Sequence, residues 1–410
     1  MITTPWLRAA VCAATLACAT LAQAQQQPAP DWLRQALERH PTFQESQAAA
    51  QAAEARRRAA GLPLYNPEVA LDVEQGEVLT LSAGISQTLD RSDRRGAAAQ
   101  GADAQLEAAR AEVARTRLDL AHELMHLIAR HQTARDHLAI ARERVRLMQR
   151  FVDISQRRLD SGDLDPTALA TARLAENEAR MRLAQVEAEL AQVEQALALW
   201  FPAGELARLP LALPEAPPEP EELDEAGLGQ RLPELQALTA AHRAARAEAE
   251  LRRRETRANP TVGVIAGREG EAALLGLNLS LPWQVRNPYR AEVDAALAEA
   301  EAVQARYQTA LRRALERLRS DTARYRILHQ AWHHWLQQGQ ASLQGQVEAL
   351  ERLWSLGDLE ADAYLVRLNQ TLDTRERVIS LRQDLWLAWF DLRYANGDLL
   401  QRLPRFGSND

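Results

Sequence analysis

The segment His122-Glu-Leu-Met-His126 concentrates more chemistry than any other stretch of the chain. Histidines four apart on a helix share a face and can grip one zinc ion, and the intervening Glu123 could activate a zinc-bound water. This is the HExxH signature of zinc peptidases. Such an enzyme also needs a third protein ligand and a substrate cleft. No extended HExxHxxGxxH pattern follows, and no glutamate-rich partner helix stands out to supply the ligand. A second pair, His329 and His333, is one turn apart, but Trp332 and Trp335 beside it have the character of seam or interface residues. The sequence assigns no metal site. It shows no glycine-rich phosphate loop and no Ser-His-Asp set, so no catalytic residue and no cofactor is assigned and the chain reads as a non-enzyme.

The element that positions HELMH is a long Ala/Arg/Glu/Leu tract. Leu106, Val113, Leu120 and Leu127 recur every seven residues, with Leu124 in support, which is a coiled-coil seam. His122 and His126 fall on its flank, facing solvent or a neighbouring helix. A second tract steps by four and three through Val293, Leu297, Ala300, Tyr307, Leu311, Ala314, Leu318, Tyr325, Leu328, Trp332 and Trp335, with Gln304 and Asp321 as interruptions. Helices over 95–159 and 290–353 would each be about 100 Å long at 1.5 Å per residue. Each ends at a polar glycine turn, at 161–166 and 356–362, from which a second helix returns.

These tracts belong to a repeat of about 195 residues. In each half a helical segment leads to Asn-Pro, at Asn66-Pro67 and Asn259-Pro260, then to a β-hairpin and a long helix. The expected organisation is a signal peptide over 1–24, a first repeat over 25–200 with its hairpin at 68–89, and a Pro/Glu-rich linker over 201–223. A second repeat over 224–402, with its hairpin at 260–282, and a tail over 403–410 complete it. The signal reading rests on Arg8, the apolar run 9–21 and the small-x-small ending Ala22-Gln23-Ala24. It removes Cys12 and Cys18. The rival reading lipidates Cys18, although Thr15 stands where a lipobox has an aliphatic residue.

Composition narrows the partners. The 49 basic residues are all arginine and face 56 acidic ones for a net charge of −7, which disfavours a nucleic-acid surface. With 46% hydrophobic and 26% charged residues, disorder is excluded too. Beyond the signal no stretch is apolar enough for a membrane helix. The hairpins offer another route. Val69, Leu71 and Val73 share a face, as do Leu79, Leu81, Ala83 and Ile85, and Leu275, Leu277, Leu279 and Leu281 alternate with Gly276, Asn278 and Ser280. Runs of this length and alternation suit tilted transmembrane strands. Four strands cannot close a barrel, and open edges are not tolerated in lipid, so this reading requires oligomerisation; three copies supply twelve strands.

With these features in hand, the chain resembles the TolC-like outer-membrane factors, the exit ducts of tripartite efflux systems, over nearly the whole mature length. The segments 66–74, 85–89, 93–96 (Asp-Arg-Arg-Gly) and 279–287 are most similar to the CzcC-like branch that serves heavy-metal export. The resemblance implies a mainly α chain with a small β part and two structural repeats. It implies a homotrimeric 12-stranded outer-membrane barrel, four strands per chain, continued by a long α-helical coiled-coil tunnel in the periplasm. The implied partners are outer-membrane lipid, a periplasmic adaptor (membrane fusion protein) and an inner-membrane pump of the resistance-nodulation-division (RND) class. The helix-turn tips of the family face the adaptor, which makes Arg158, Leu159, Gly162 and Leu164, with Arg352, Leu353, Gly357 and Leu359, the docking candidates. Drug-exporting relatives tend to carry aspartates where this chain has Ala363 and Val366.

Acid is dense at both tips: Asp160, Asp163 and Asp165, then Asp358, Glu360 and Asp362. In a trimer they would place about eighteen carboxylates round one entrance and concentrate cations there; the bland reading is that helix N-termini favour acids as caps. The function expected is passive conduction of heavy-metal cations through the outer membrane. Organic toxicants or a secreted polypeptide are the alternative cargo for the same fold, and a periplasmic HExxH zinc metallopeptidase is the alternative of another class.

Overall fold

The computed structural model describes residues 30–202, 204–283, 286–343 and 345–407. The expected signal peptide, with Cys12 and Cys18, lies outside them. In chain order the main elements are α1 (Asp31–Arg39), α2 (Pro41–Ala60), β1 (Glu68–Gln75), β2 (Leu79–Thr88), α3 (Arg94–Asp160), α4 (Pro166–Ala198), α5 (Pro233–Glu255), β3 (Thr261–Glu269), β4 (Ala272–Ser280), α6 (Arg290–His334), α7 (Gln346–Leu356) and α8 (Ala361–Asn396). The chain divides into two units. His40–Arg117 with Asp224–Arg317 carries the strands, and the other unit, Leu118–Leu223 with Leu318–Asp410 and the segment before His40, is mainly helical in its described residues.

In the first unit the strands form one antiparallel sheet in the order β1-β2-β3-β4. The two hairpins are joined by β2 against β3, from Thr80↔Glu269 to Thr88↔Thr261. The register brings the apolar alternations of all four strands onto one face. Leu71, Ala83, Ala266 and Leu275 form one cross-strand row, and Val69, Ile85, Val264 and Leu277 the next. The other face carries Glu68, Ser86, Gly263 and Asn278 in one row and Asp72, Ser82, Gly267 and Leu274 in another. This apolar face is not a core: Val69 is 73% exposed and Leu277 89%.

The junction between sheet and helices explains two of the motifs. Asn259, 4% exposed, accepts from Ser92 Oγ at 2.8 Å, and its amide reaches Tyr65 Oη at 3.4 Å. Asn66, its counterpart in the first repeat, is exposed. In Asp-Arg-Arg-Gly, Asp93 has φ 53°, its Oδ1 accepts from Gly96 N at 3.2 Å, and its Oδ2 pairs with Arg254 at 2.6 Å. A Cβ on Gly96 would come within 2.5 Å of the Asp93 carboxylate, so a larger residue there would displace that carboxylate from its bonds to Gly96 N and Arg254. Tyr289 has φ 55° at the same place in the second repeat, one residue before α6. Each long helix thus starts directly after a left-handed residue, which turns the chain sharply out of the sheet.

The helical unit has an aromatic core on α8, where Trp386, Trp389 and Phe390 lie 5.4 to 5.7 Å apart, all at most 1% exposed. These residues are packing and not a membrane girdle. The Pro/Glu-rich segment is tied down against this unit. Trp386 Nε1 donates to the Pro214 carbonyl at 3.2 Å, Tyr325 Oη donates to that of Pro218, and Leu213 N donates to Gln132 Oε1 at 2.8 Å.

The first long helix runs 67 residues without interruption, one residue beyond expectation at each end. The second does not run through to 353. The α-helix stops at His334, a π-turn occupies Trp335–Gly339, and Gly345 at φ 73° breaks the chain before α7. Trp335 packs directly over Gly339, where any Cβ would collide with its ring. The wider π-turn rotates the next helical residues away from the seam, and a left-handed residue cannot continue an α-helix. One seam position also differs: Leu297 is 48% exposed, and the neighbouring Ala296 is buried instead.

Candidate functional site

The two tip turns are closed alike. Gly162 N donates to Leu159 O at 3.0 Å and Asp163 N to Arg158 O at 2.8 Å; Gly357 N donates to Trp354 O at 3.1 Å and Asp358 N to Leu353 O at 3.0 Å. These are Schellman closures, with both glycines left-handed at φ 81° and 82°. The shared geometry makes Arg158 equivalent to Leu353 and Leu159 to Trp354, so the docking candidates chosen from sequence as Arg-Leu pairs stand one position out of step.

Beneath the turns lies a cluster built on Phe151, Leu350, Trp354, Tyr364, Leu368 and Leu372. Trp354 is 1% exposed and its ring centre lies 5.1 Å from Phe151 and 5.6 Å from Tyr364. Leu164 and Leu359 pack partly against the same cluster, and Arg158 and Leu159 are half-buried. Gly162, Gly357, Arg352 and Leu353 are exposed, and so are Leu356, at 69%, and Val366, neither of which sequence selected for docking.

The acids differ in role. Asp165 is the N-cap of α4: its Oδ1 accepts from Thr167 N at 2.7 Å and Thr167 Oγ1 at 2.6 Å, bonds that hold its carboxyl below the usual range. Asp163 accepts from Ser161 Oγ at 2.9 Å. Asp160, Asp358, Glu360 and Asp362 are exposed, and Glu360, at the N-cap position of α8, makes no side-chain capping bond.

HELMH is placed on α3 with both histidines toward α8. Asp391, 269 residues after His122, sits between them. Its Oδ1 accepts from His122 Nε2 at 2.8 Å and His126 Nε2 at 2.9 Å, while its Oδ2 accepts from Arg324 Nη1 at 3.2 Å. Burial alone would raise the Asp391 carboxyl, but the two imidazole hydrogen bonds prevail and hold it far below the usual carboxylate range. The imidazole rings are 4.2 Å apart, and His122 lies 4.5 Å from the Tyr394 ring, whose Oη donates to Asp119 at 2.7 Å. Sequence reading missed Asp391 because nothing local marks one aspartate on a distant helix. Glu123, which a zinc peptidase needs at the metal, is exposed while the histidines and Asp391 are half-buried.

Residues 32–200 match the outer membrane efflux protein family. Among curated proteins none matches the chain. Among solved structures the chain is similar to the outer-membrane channel OprN, with TM-score 0.76 and 16% identity over 90% of each chain. It is similar to CusC, with TM-score 0.73 and 19% identity over 89% of this chain and 91% of that one. It is also similar to the outer membrane protein VceC of Vibrio cholerae, with TM-score 0.73 and 16% identity over 92% of this chain and 96% of that one. The family and these folds are those of channels, and the peptidase reading is set aside. The chain therefore has the fold of the outer-membrane efflux channels, and bears the sequence pattern of the outer membrane efflux protein family over residues 32–200.

Proposed function

We propose that this protein is the outer-membrane channel of a tripartite efflux system, a homotrimer that passively conducts its cargo outward from a periplasmic adaptor and an inner-membrane pump of the RND class. The observation that carries the reading is the sheet. It exposes a continuous apolar face, and β1 and β4 each pair on one side only. In water such a surface and such edges invite aggregation; in a bilayer the face is solvated by lipid, and the edges are satisfied only by closing a barrel with other copies. Three chains give twelve strands, within the range of known barrels. No helix among the described residues is long and apolar enough to cross a membrane.

Heavy-metal cations are the cargo we favour, on the resemblance of the hairpin segments to the metal-exporting branch and on the exposed acids Asp358, Glu360 and Asp362 at the second tip. Adaptor docking falls to the exposed tip residues Gly162, Gly357, Arg352 and Leu353. Arg158, Leu159, Leu164 and Leu359 then support the turns from behind. The deciding experiment is fractionation of cell membranes followed by sizing of the detergent-solubilised chain with and without boiling. A heat-sensitive trimer in the outer membrane is expected, and a soluble periplasmic monomer would overturn the reading.

A further inference from the structure

We propose that His122, His126 and Asp391 form a binding site for one divalent transition-metal ion of the zinc class, a site of this chain that does not depend on what the channel conducts. Among the described residues this is the one group of three such side chains whose ligand atoms converge, all lying within 4.8 Å of one another. Two imidazoles and a carboxylate suit zinc, copper(II), nickel or cobalt(II), and the absence of a thiolate from the set disfavours soft monovalent copper.

The geometry is near that of a bound site. Zinc held at about 2.0–2.1 Å from each ligand needs ligand atoms about 3.3 Å apart. The two Nε2 to Oδ1 separations are 2.8 and 2.9 Å and the two Nε2 atoms lie within 4.8 Å of each other, so the ion enters when the first two edges open by about half an ångström and the imidazoles adjust to the same spacing. Each Nε2–H now donates to Oδ1. On metal binding each nitrogen gives its lone pair to the ion: a neutral imidazole moves its proton to Nδ1, and an imidazolium releases one proton to solvent. The ion then bridges the three groups that a shared hydrogen bond holds together in its absence. A fourth position stays open to water, which keeps the ion exchangeable.

The surroundings are those of a supported site. Asp391 uses Oδ1 toward the histidines and Oδ2 toward Arg324, so the ion can take Oδ1 while Arg324 continues to orient the carboxylate. Tyr394, anchored through Asp119, lies against the His122 ring, and Phe390 lies 6.5 Å from that of His126. The Arg324 charge weakens affinity and the Asp119 charge partly offsets it.

The test uses the full mature chain in detergent, stripped with a chelator and titrated with zinc alone. One zinc per chain is expected. His122→Gln, His126→Gln and Asp391→Asn should each weaken binding by about tenfold or more, with helicity retained by circular dichroism. The double variant His329→Gln/His333→Gln should leave stoichiometry unchanged. X-ray absorption of the zinc-loaded wild-type chain should report two imidazoles in the coordination shell, a readout that requires no variant to fold. Wild-type binding no tighter than that of the His122→Gln/His126→Gln double variant would overturn the proposal, as would a shell without imidazole. Either result leaves the trimeric channel reading untouched.

Discussion

The Arg158 guanidinium lies over the Trp354 ring, 4.6 Å from its centre. A residue from the first repeat's tip thereby covers the residue that anchors the second, and the two turns share one support. Repeat-equivalent positions have taken different work: Leu159 closes its turn half-buried, while its counterpart Trp354 fills the aromatic cluster between Phe151 and Tyr364.

Trp354→Ala should therefore destabilise the helical unit by about 3–5 kcal/mol, the usual range for deleting a buried tryptophan. Arg158→Ala should cost less, about 0.5–2 kcal/mol for a cation over an aromatic face. Thermal denaturation of the detergent-solubilised protein orders the two. Equal effects would mean that the cluster does not depend on the indole.

At the turns, a Cβ on Gly162 or Gly357 would meet nothing within 4 Å. Alanine there costs only the left-handed backbone, about 1–2 kcal/mol each. Asparagine, which tolerates that region, should restore most of the loss. If adaptor cross-linking falls with alanine and recovers with asparagine, turn shape is what the adaptor reads; loss with both would assign the contact to the glycine surface itself.

The barrel reading separates two neighbours on β4. Leu277→Arg places a charge on the apolar face and should cost about 2–4 kcal/mol near the bilayer midplane, seen as lost heat-sensitive oligomer in the outer membrane. Asn278→Arg, in the polar row with Gly263 and Ser86, should assemble nearly normally. Equal assembly of both variants would remove the lipid from that face.

Neutralising Asp358, Glu360 and Asp362 together should lower the cation selectivity of the reconstituted channel with little loss of stability, since all three are exposed and Glu360, at the N-cap position of α8, makes no side-chain capping bond. Asp165→Asn should instead act on stability, and only slightly, because asparagine keeps a capping oxygen for Thr167 N and loses the charge. Planar-bilayer reversal potentials distinguish field from capping.

His131 is 8% exposed, and burial, with Arg135 nearby, pushes its pKa below the ordinary 6.5, against a smaller opposing effect of Glu194. The unfolded chain then binds this proton more readily than the folded one, so the contribution of His131 to stability is intact above about pH 6.5 and declines as pH falls toward the folded value. Melting temperatures of wild type and His131→Gln should converge through that window on acidification. A constant difference would show that His131 does not titrate there.

What could be read from residues alone was whatever rests on local periodicity: the strands from their two-residue alternation, the 67-residue α3 from its seven-residue leucines, and the tip glycines from turn chemistry. Each signal is written within one segment, because side-chain direction repeats with the backbone. Pairing across the repeat was not legible. Thr88 meets Thr261 across 173 residues, and Asp391 meets His122 across 269; neither partner carries a local mark, since many threonines and aspartates would satisfy the same pattern. The same limit hid the break after His334. The seam continues through Trp332 and Trp335, and only packing of Trp335 onto Gly339, with Gly345 left-handed, ends the helix. Local sequence determined which elements form and which faces are apolar. The tertiary structure alone decided which distant side chains converge, because burial and hydrogen bonding select one partner among many that are chemically equivalent.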